Sequence, residues 1–448
     1  PAKFSGEEEA CMDTISFDLT KRMGKFKPLN AVNGGPWHKR HANDQWRSNM
    51  DDYKRARIPY TRNHDSNLAG SVYGGPYAVD ITAIFPRLDA DVDDPASYDF
   101  PCTDESILVP LDAGTKTFFR LGQSIEHQIK KHGTIPPADF EKWARVCEHI
   151  IRHYNEGWAN GFRLNIEYWE IWNEPDLDSD DSKNKRTWGG TRAQFFDLFE
   201  IAAKHLKGCF PGIKIGGPAL CGDEKWADAF LQEMKRRDVT LDFFSWHIYA
   251  TDPRDISAKA RRIRALLDRH GYEKSESILN EWNYVKGWTD EYVYSIECIG
   301  NHKGAAFTMA CLSEGQAEPI DMMMYYDTRP SCFCGPFDYY TYRPRKPYYP
   351  LYWYGMFYDM AAEVRAQNRV DDVYTLCGVD DLGKVLAVVT YYTDDDCAPD
   401  KTVRLDFGRD ASYSLFRLDE RHDGEKCGVT DDLTLTLPRQ SCVLIRQN

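Results

Sequence analysis

The segment that decides the fold is YWEIWNEP, residues 168–175. It is a short apolar and aromatic run that ends in polar residues, Asn173 and Glu174. A second segment, ILNEWN at residues 278–283, has the same design and carries Glu281. Apolar runs of this length are typical of buried parallel strands, and functional residues gather at the carboxyl ends of such strands. The two segments therefore predict two strands of one parallel sheet, each with a carboxylate at its end.

The surrounding sequence alternates short apolar runs with amphipathic helical patterns, as repeated βα units do. Eight strands can be placed before residue 360, which is the number that a closed barrel needs. They cover residues 28–33, 58–62, 117–121, 166–172, 213–215, 243–249, 277–280 and 321–326. The sequence thus predicts an α/β protein with a (β/α)8 TIM barrel.

Helix signals support this arrangement. Pro137 suits a first helical turn, and after it apolar residues of 140–154 recur at three- and four-residue spacing, which predicts a helix with one buried face. Thr191 and Gln194 form a capping-box pattern before a similar stripe. Gly271 follows a third stripe as the expected C-terminal cap.

The pattern changes after about residue 360. Five β-type runs are separated by Asp, Gly and Pro, and several of them alternate apolar with polar residues. They predict antiparallel strands at 373–376, 385–392, 402–407, 413–418 and 433–437. We interpret them as an accessory antiparallel β-sandwich. The predicted division is a segment 1–24 that joins this sandwich, a barrel at 25–360 and the sandwich itself at 361–448.

Composition excludes several functions. The formal net charge of −14 disfavours nucleic acid and anionic membrane surfaces as partners, since phosphates would be repelled. No apolar run is long enough for a membrane-spanning helix, and no signal-peptide pattern opens the sequence. Thirteen scattered cysteines, an odd number, favour reduced thiols over a disulfide framework. We therefore expect a cytoplasmic protein whose oligomeric state is open.

The paired glutamates suggest a chemistry. A retaining glycosidase needs one carboxylic acid to protonate the leaving oxygen and one carboxylate to attack the anomeric carbon, about 5–5.5 Å away. The fourth and seventh strands of an eight-stranded barrel lie on roughly opposite sides of its mouth, so Glu174 and Glu281 can face each other across a sugar. This chemistry calls for no metal and no organic cofactor. The close pair Cys332 and Cys334 is interpreted as two free thiols in a loop rather than a metal site.

At these residues the sequence resembles a known family. WEIWNEPDL at 169–177 together with LNEWN at 279–283 is similar to glycoside hydrolase family 39 of clan A, which includes β-xylosidases and α-L-iduronidases. The resemblance implies a retaining glycoside hydrolase that acts on an oligosaccharide or glycoside. A β-xylosidase or a related exo-pentosidase is favoured. An arabinosidase is the next choice, and a carbohydrate-binding barrel without turnover is the rival from another class.

The resemblance also implies residue roles. Glu174 matches the acid/base and Glu281 the nucleophile. The remaining matches are substrate-binding or supporting residues: Asn173 at the sugar 2-hydroxyl, Arg62 beside the nucleophile, His64 at a sugar hydroxyl, and His247, Tyr249 and Trp282 lining the site.

Some of these roles have a structural alternative. By strand alternation Glu170 faces into the barrel with Trp172 and Glu174, so Arg62 could instead be its ion-pair partner. His64 and His247 could be hydrogen-bonded core residues. The chain also departs from the family at Asp65, where glycine is usual, and at 325–327, where many clan members carry tryptophan. The aromatic stretch 339–354 could stack on sugars or seal the barrel against the β domain.

Overall fold

A computed structural model describes residues 13–38, 48–65, 77–329 and 331–448. Eight parallel strands close into a barrel in chain order, the last pairing with the first, so the predicted TIM barrel is confirmed. Its strands are β2 (Ala31–Asn33), β3 (Tyr60–Arg62), β4 (Lys116–Leu121), β5 (Tyr168–Ile171), β6 (Lys214–Leu220), β7 (Phe243–Ala250), β8 (Glu276–Tyr284) and β9 (Met322–Tyr325). The segments with Glu174 and Glu281 therefore belong to β5 and β8.

Helices surround the barrel and follow the predicted stripes. The described α-helices are α1 (Met50–Ala56), α2 (Ile81–Ile84), α3 (Pro101–Asp112), α4 (Phe140–Asn155), α5 (Arg192–Cys209), α6 (Glu224–Arg236), α7 (Pro253–Arg269), α8 (Tyr292–Ile299), α9 (His302–Ala317) and α10 (Tyr348–Met356). The capping box of Thr191 and Gln194 is present, and Gly271 has a positive φ of 77° just beyond α7. Pro137 lies outside α4, because Asp139 is the residue that caps the first turn.

The barrel interior is filled in layers, as in other TIM barrels. The layer at the amino ends of the strands is mainly apolar and contains Ala31, Phe118, Tyr168, Phe243, Ile278, Met322 and Met324. Above it lies a buried polar layer formed by Asn33, Arg62, Arg120, Glu170, Ser245 and Asn280. The polar layer supports the carboxyl-terminal mouth, where the two glutamates lie.

The second domain is a β domain with nine strands. They are β1 (Asp13–Arg22), β10 (Ala362–Ala366), β11 (Val373–Val379), β12 (Val385–Tyr391), β13 (Lys401–Asp406), β14 (Tyr413–Leu418), β15 (Asp423–Thr430), β16 (Thr434–Leu437) and β17 (Ser441–Gln447). They form one sheet in the order β15-β14-β17-β12-β11-β10-β1-β13-β16, which is antiparallel except for the pair β1–β13. Val403 and Leu435 from one end share an apolar core with Val389 and Ile445 from the middle, so the sheet folds over like a sandwich.

The β domain packs against the barrel beside β8, α9 and α10. The buried ammonium of Lys303 on α9 lies 2.8 Å from Asp394 and 2.9 Å from Asp396, both in the loop after β12. Tyr284, the last residue of β8, donates to the same Asp394 at 2.7 Å. Beside α10, Lys346 donates to Asp423 of β15 at 2.6 Å. The aromatic stretch 339–354 thus lies between the two domains, which favours the interpretation that it seals the barrel against the β domain.

Two further observations concern the described residues alone. No helix among them combines the length and the apolar character that crossing a bilayer requires. Each of their twelve cysteines is a free thiol.

Candidate active site

The end of β5 turns two side chains toward the barrel mouth. Strand alternation places Glu170 inside, as predicted, but Trp172 has a positive φ of 73° and leaves the strand pattern. Its ring faces the helices, 6.0 Å from that of Trp143, so the prediction that it shares the inner face is wrong. The turn instead brings Asn173 and Glu174 to the mouth, where the Glu174 backbone N–H donates to a carbonyl of β6 at 2.9 Å.

Glu281 reaches the mouth through an irregularity in β8. Trp246 of β7 pairs with Leu279, but the next residue, His247, pairs with Glu281, so Asn280 is the extra residue of a bulge. Simple alternation would send neighbouring side chains to opposite faces, whereas a bulge re-aims one of them. Here Asn280 donates to Glu170 in the polar layer, and Glu281 still faces into the barrel. The strand continues to Tyr284, four residues beyond the predicted end.

The two carboxyl groups face each other at short range. One carboxylate oxygen of Glu174 and one of Glu281 lie within 4.8 Å, together with a ring nitrogen of His247. Both glutamates are 5% exposed, so they open to the mouth by a narrow window. The distance between these carboxylate oxygens is close to the separation of about 5–5.5 Å in retaining glycosidases and shorter than the roughly 6.5–9.5 Å in inverting ones.

His247 and Tyr249, neighbours on the inner face of β7, contact the two glutamates. The Nδ1 atom of His247 lies 2.7 Å from Glu174 Oε1 and 3.7 Å from Glu281 Oε2. The Tyr249 hydroxyl donates to Glu281 Oε1 at 2.5 Å. A charge-assisted bond of this kind stabilises the ionised form of Glu281.

Arg62 binds both of its candidate partners. Its Nε donates to Glu170 at 2.8 Å, its Nη1 lies 3.4 Å from Glu281, and its Nη2 donates to Asn173 Oδ1 at 2.6 Å. The ion pair with Glu170 is the closer one, and the contact with Glu281 exists beside it. The same guanidinium therefore holds the buried Glu170, positions Asn173 and presents positive charge to Glu281.

Asn173 and His64 are held from behind. The amide Nδ2 of Asn173 is buried and has no hydrogen-bond partner in the described part of the chain, so it is free to donate to a ligand. His64 Nδ1 accepts from Arg120 Nε at 3.1 Å, which leaves the His64 proton on Nε2. Burial and nearby cations hold the pKa of His64 well below its usual value, so the ring is neutral.

Burial raises the pKa of both glutamates above that of an exposed carboxyl group. Burial raises the pKa of Glu174 to about 8, and the carboxylate of Asp176 adds to the effect. Burial also raises the pKa of Glu281, to about 7, and the nearby Glu174 carboxylate adds to the effect, while Arg62 and the hydroxyl of Tyr249 oppose it. Since Glu281 is better supplied with donors and positive charge, a single proton shared by the pair resides on Glu174 near neutral pH.

Trp282 lies elsewhere. Its side chain is fully buried and packs against Phe307 of α9 and Tyr325 of β9. The position following Glu281 on the strand faces the helices, so the predicted substrate contact of Trp282 is not supported. The sequence analysis did not select four polar residues of the barrel interior, which are Asn33, Arg120, Ser245 and Asn280.

The carboxylate pair could also present ligands to a metal ion. Glu174, His247 and Glu281 each offer an atom within 4.8 Å of the others. Arg62 already supplies a cation 3.4 Å from Glu281, and a metal ion there would be repelled by it. Two similar clusters lie outside the mouth, at Glu148, His205 and Cys209, and at His422, Glu425 and Cys427.

A TIM barrel with two facing glutamates at its carboxyl-terminal mouth defines the architecture of clan A glycoside hydrolases. The sequence model of glycosyl hydrolases family 39 matches residues 26–292, more than half of the chain, and the chain belongs to this family.

The chain is also similar in sequence to curated relatives and in fold to solved structures. The chain is 26% identical over 178 residues to a β-xylosidase of Geobacillus stearothermophilus, a stretch of 34% of this chain and 33% of that protein. It is 30% identical over 146 residues to a β-xylosidase of Caldicellulosiruptor saccharolyticus, 32% of this chain and 26% of that protein. The chain thus matches a third or less of each relative's length. A glucosidase structure from Croceicoccus marinus superposes with a TM-score of 0.79 at 22% identity, covering 98% of this chain and 99% of that one.

Proposed function

We propose that this protein is a retaining glycoside hydrolase that acts on β-xylosides. The observation that carries the proposal is the approach of the Glu174 and Glu281 carboxyl groups to within 4.8 Å. Double displacement needs about this separation, because one carboxylate must reach the anomeric carbon while the other reaches the leaving oxygen.

In the first step, a carboxylate oxygen of Glu281 attacks the anomeric carbon, and the bond from that carbon to the leaving oxygen breaks. Glu174 transfers its proton to the leaving oxygen. Asn173 donates a hydrogen bond from its Nδ2, which has no partner among the described residues, to the sugar 2-hydroxyl, in the contact that the family resemblance implies. Arg62 and Tyr249 keep Glu281 ionised before the attack.

In the second step, Glu174 acts as a base. It is ionised after the first transfer and takes a proton from water, whose oxygen attacks the anomeric carbon as the bond to Glu281 breaks. Once Glu281 is esterified its negative charge is gone, which lowers the pKa of Glu174 from its resting value and suits it to this role. The neutral His247, whose pKa burial lowers to about 4, holds Glu174 by a hydrogen bond in both steps.

The choice of glycone rests on the relatives. Both matched β-xylosidases support a β-xyloside, and an α-L-arabinoside is the alternative within the same mechanism. A carbohydrate-binding barrel without turnover is the rival that the intact carboxylate pair speaks against. For the remaining organisation, we propose residues 25–360 as the catalytic barrel and residues 1–24 with 361–448 as the accessory β domain.

The test is release of 4-nitrophenol from a panel of aryl glycosides: β-xyloside, α-L-arabinosides, β-glucoside, β-galactoside and α-L-iduronide. We expect the β-xyloside to give the highest kcat/KM, Glu281→Gln to abolish turnover, and Glu174→Ala to be rescued by azide. Glu276→Gln is the matched control, because Glu276 lies on the same strand at the opposite end of the barrel. Saccharide binding without turnover would favour the binding-protein rival, and a higher kcat/KM for another sugar would replace the glycone.

We also propose that the protein works in a reducing compartment, the cytoplasm. The support is the free state of its twelve described cysteines, seen also at exposed positions such as Cys332, Cys397 and Cys427. Thiol titration of the protein isolated without reductant tests this: thirteen free thiols are expected after denaturation, and disulfide-linked peptides would contradict it.

A further inference from the structure

Asp65 carries a carboxylate oxygen that accepts no hydrogen bond from any described residue. The residue follows β3 at a positive φ of 56° and is 8% exposed. Its Oδ2 accepts from the Tyr326 hydroxyl at 3.2 Å and lies 3.4 Å from His64 Nε2. Its Oδ1 is buried, and no described residue donates to it. An acceptor buried in this way loses its hydration without compensation, and a donor that binds there removes this cost.

Arg329 contacts the backbone of Asp65 but does not donate to this oxygen. Arg329 uses its Nη1 for the backbone carbonyl of Asp65 and its Nη2 for Asp327, at 3.0 Å. Within the described ranges, no lysine or arginine forms a side-chain ion pair with Asp65, and His64 is neutral. The position is also one where a glycine would be easiest, since positive φ is strained for most residues and milder for Asp. Neither the backbone conformation nor an ion pair therefore accounts for a carboxylate at position 65, which points to a role in binding a ligand.

Asp65 lies at the rim of the reacting pair. Tyr326, which donates to Asp65, has its ring 6.5 Å from that of Tyr249, and the Tyr249 hydroxyl donates to Glu281. His64 Nε2 carries the ring proton, because Nδ1 accepts from Arg120. An N–H donor and a carboxylate acceptor thus stand side by side. A sugar hydroxyl, which donates one hydrogen bond and accepts others, matches this pair.

We infer that Asp65 is a specificity residue for the glycone, which accepts a hydrogen bond from the 3- or 4-hydroxyl while His64 Nε2 donates to the same region. The inference rests on the proposed function and deepens it. The 2-hydroxyl belongs to Asn173, so the 3- and 4-hydroxyls are those left for Asp65 in a pentopyranoside. A carboxylate that only accepts hydrogen bonds attracts hydroxyls and repels another carboxylate. The site therefore selects a neutral glycone and disfavours uronosides.

The test combines enzyme variants with deoxy substrates. Asp65→Gly restores the residue usual in the family, and Asp65→Asn keeps the shape without the charge; both residues tolerate the positive φ. We expect Asp65→Gly to lower kcat/KM about 10- to 100-fold for 4-nitrophenyl β-xyloside, the range for a hydrogen bond to a charged group. For the 3-deoxy or 4-deoxy xyloside that lacks the recognised hydroxyl, the same variant should cause almost no loss. Equal losses on all three substrates would show a structural role and overturn the inference.

Charge is tested separately with Asp65→Asn. The ratio of kcat/KM for the β-glucuronide to that for the β-xyloside, two glycones that differ by the carboxylate, should rise in this variant. An unchanged or lower ratio overturns the selection against uronosides. If the wild type turns over no glycoside at all, the proposed function fails, and this inference fails with it. If the wild type is active but the deoxy substrates lose as much as the parent, only the inference fails.

Discussion

Arg62→Met tests the structural and the catalytic role of the buried guanidinium. Arg62 is wholly buried and contacts Glu170 at 2.8 Å, Asn173 at 2.6 Å and Glu281 at 3.4 Å. Methionine has a similar length but neither charge nor donors, so Glu170 would stay buried without its cation. We expect both the stability of the barrel and its catalysis to fall.

The size of the stability loss follows from these contacts. Removing one member of a buried ion pair costs about 3–5 kcal/mol. Glu170 keeps hydrogen bonds from Ser245 and Asn280, so we expect the lower end, about 3 kcal/mol. With an unfolding entropy of about 2.1 cal/mol/K per residue over a barrel of roughly 335 residues, that loss lowers Tm by about 4 °C.

The assay compares Arg62→Met with the double variant Arg62→Met/Glu170→Gln. Thermal unfolding and kcat/KM are measured for both. The neutral glutamine relieves the unpaired charge, so most of the Tm should return. Turnover should stay at least about 100-fold down, because Glu281 still lacks its cation and Asn173 its anchor. Recovery of activity together with Tm would refute this reasoning and leave Arg62 with a structural role alone.

Three further predictions concern the surroundings of the pair. Tyr249→Phe removes a hydrogen bond to ionised Glu281, so the pKa of Glu281 should rise. The acid limb of the kcat/KM profile, expected near pH 7, should then move to higher pH by about one unit. An acid limb that stays in place or moves to lower pH contradicts this. Asp176→Asn removes a negative charge that, after burial, raises the pKa of Glu174, so the alkaline limb near pH 8 should move to lower pH in the same profile. Trp288→Ala deletes an exposed ring 5.0 Å from that of Tyr249. We expect KM for xylobiose to rise about 5-fold, as for a lost ring contact, and kcat to change little. A fall in kcat alone would argue against a role of Trp288 in substrate binding.

Sequence reasoning reached the parts of the site that depend on local pattern. The strand that ends at Glu174 and the strand that carries Glu281 were predicted from apolar runs, and the inward side of Glu170 from alternation. The orientation of Trp172 was predicted wrongly, since its positive φ of 73° breaks the alternation, and no residue type marks that change.

Other parts depend on strand pairing, which single segments do not encode. The bulge at Asn280 exists only relative to β7, so its effect on Glu281 could not be read from β8 alone. Asn33 and Ser245 are isolated polar residues in the sequence, and only closure of the barrel brings them to Arg62 and Glu170. For the same reason the sequence could not decide between Glu170 and Glu281 as the partner of Arg62, and in the folded chain Arg62 contacts both.

The central claim is that Glu281 and Glu174 catalyse cleavage by double displacement. Proton NMR of the reaction in its first minutes tests this most directly, because it shows which anomer of the sugar forms before mutarotation. The separation of at most 4.8 Å between the carboxyl groups predicts that the first product keeps the configuration of the substrate, β-xylose from a β-xyloside. First appearance of the opposite anomer would show inversion and contradict the account.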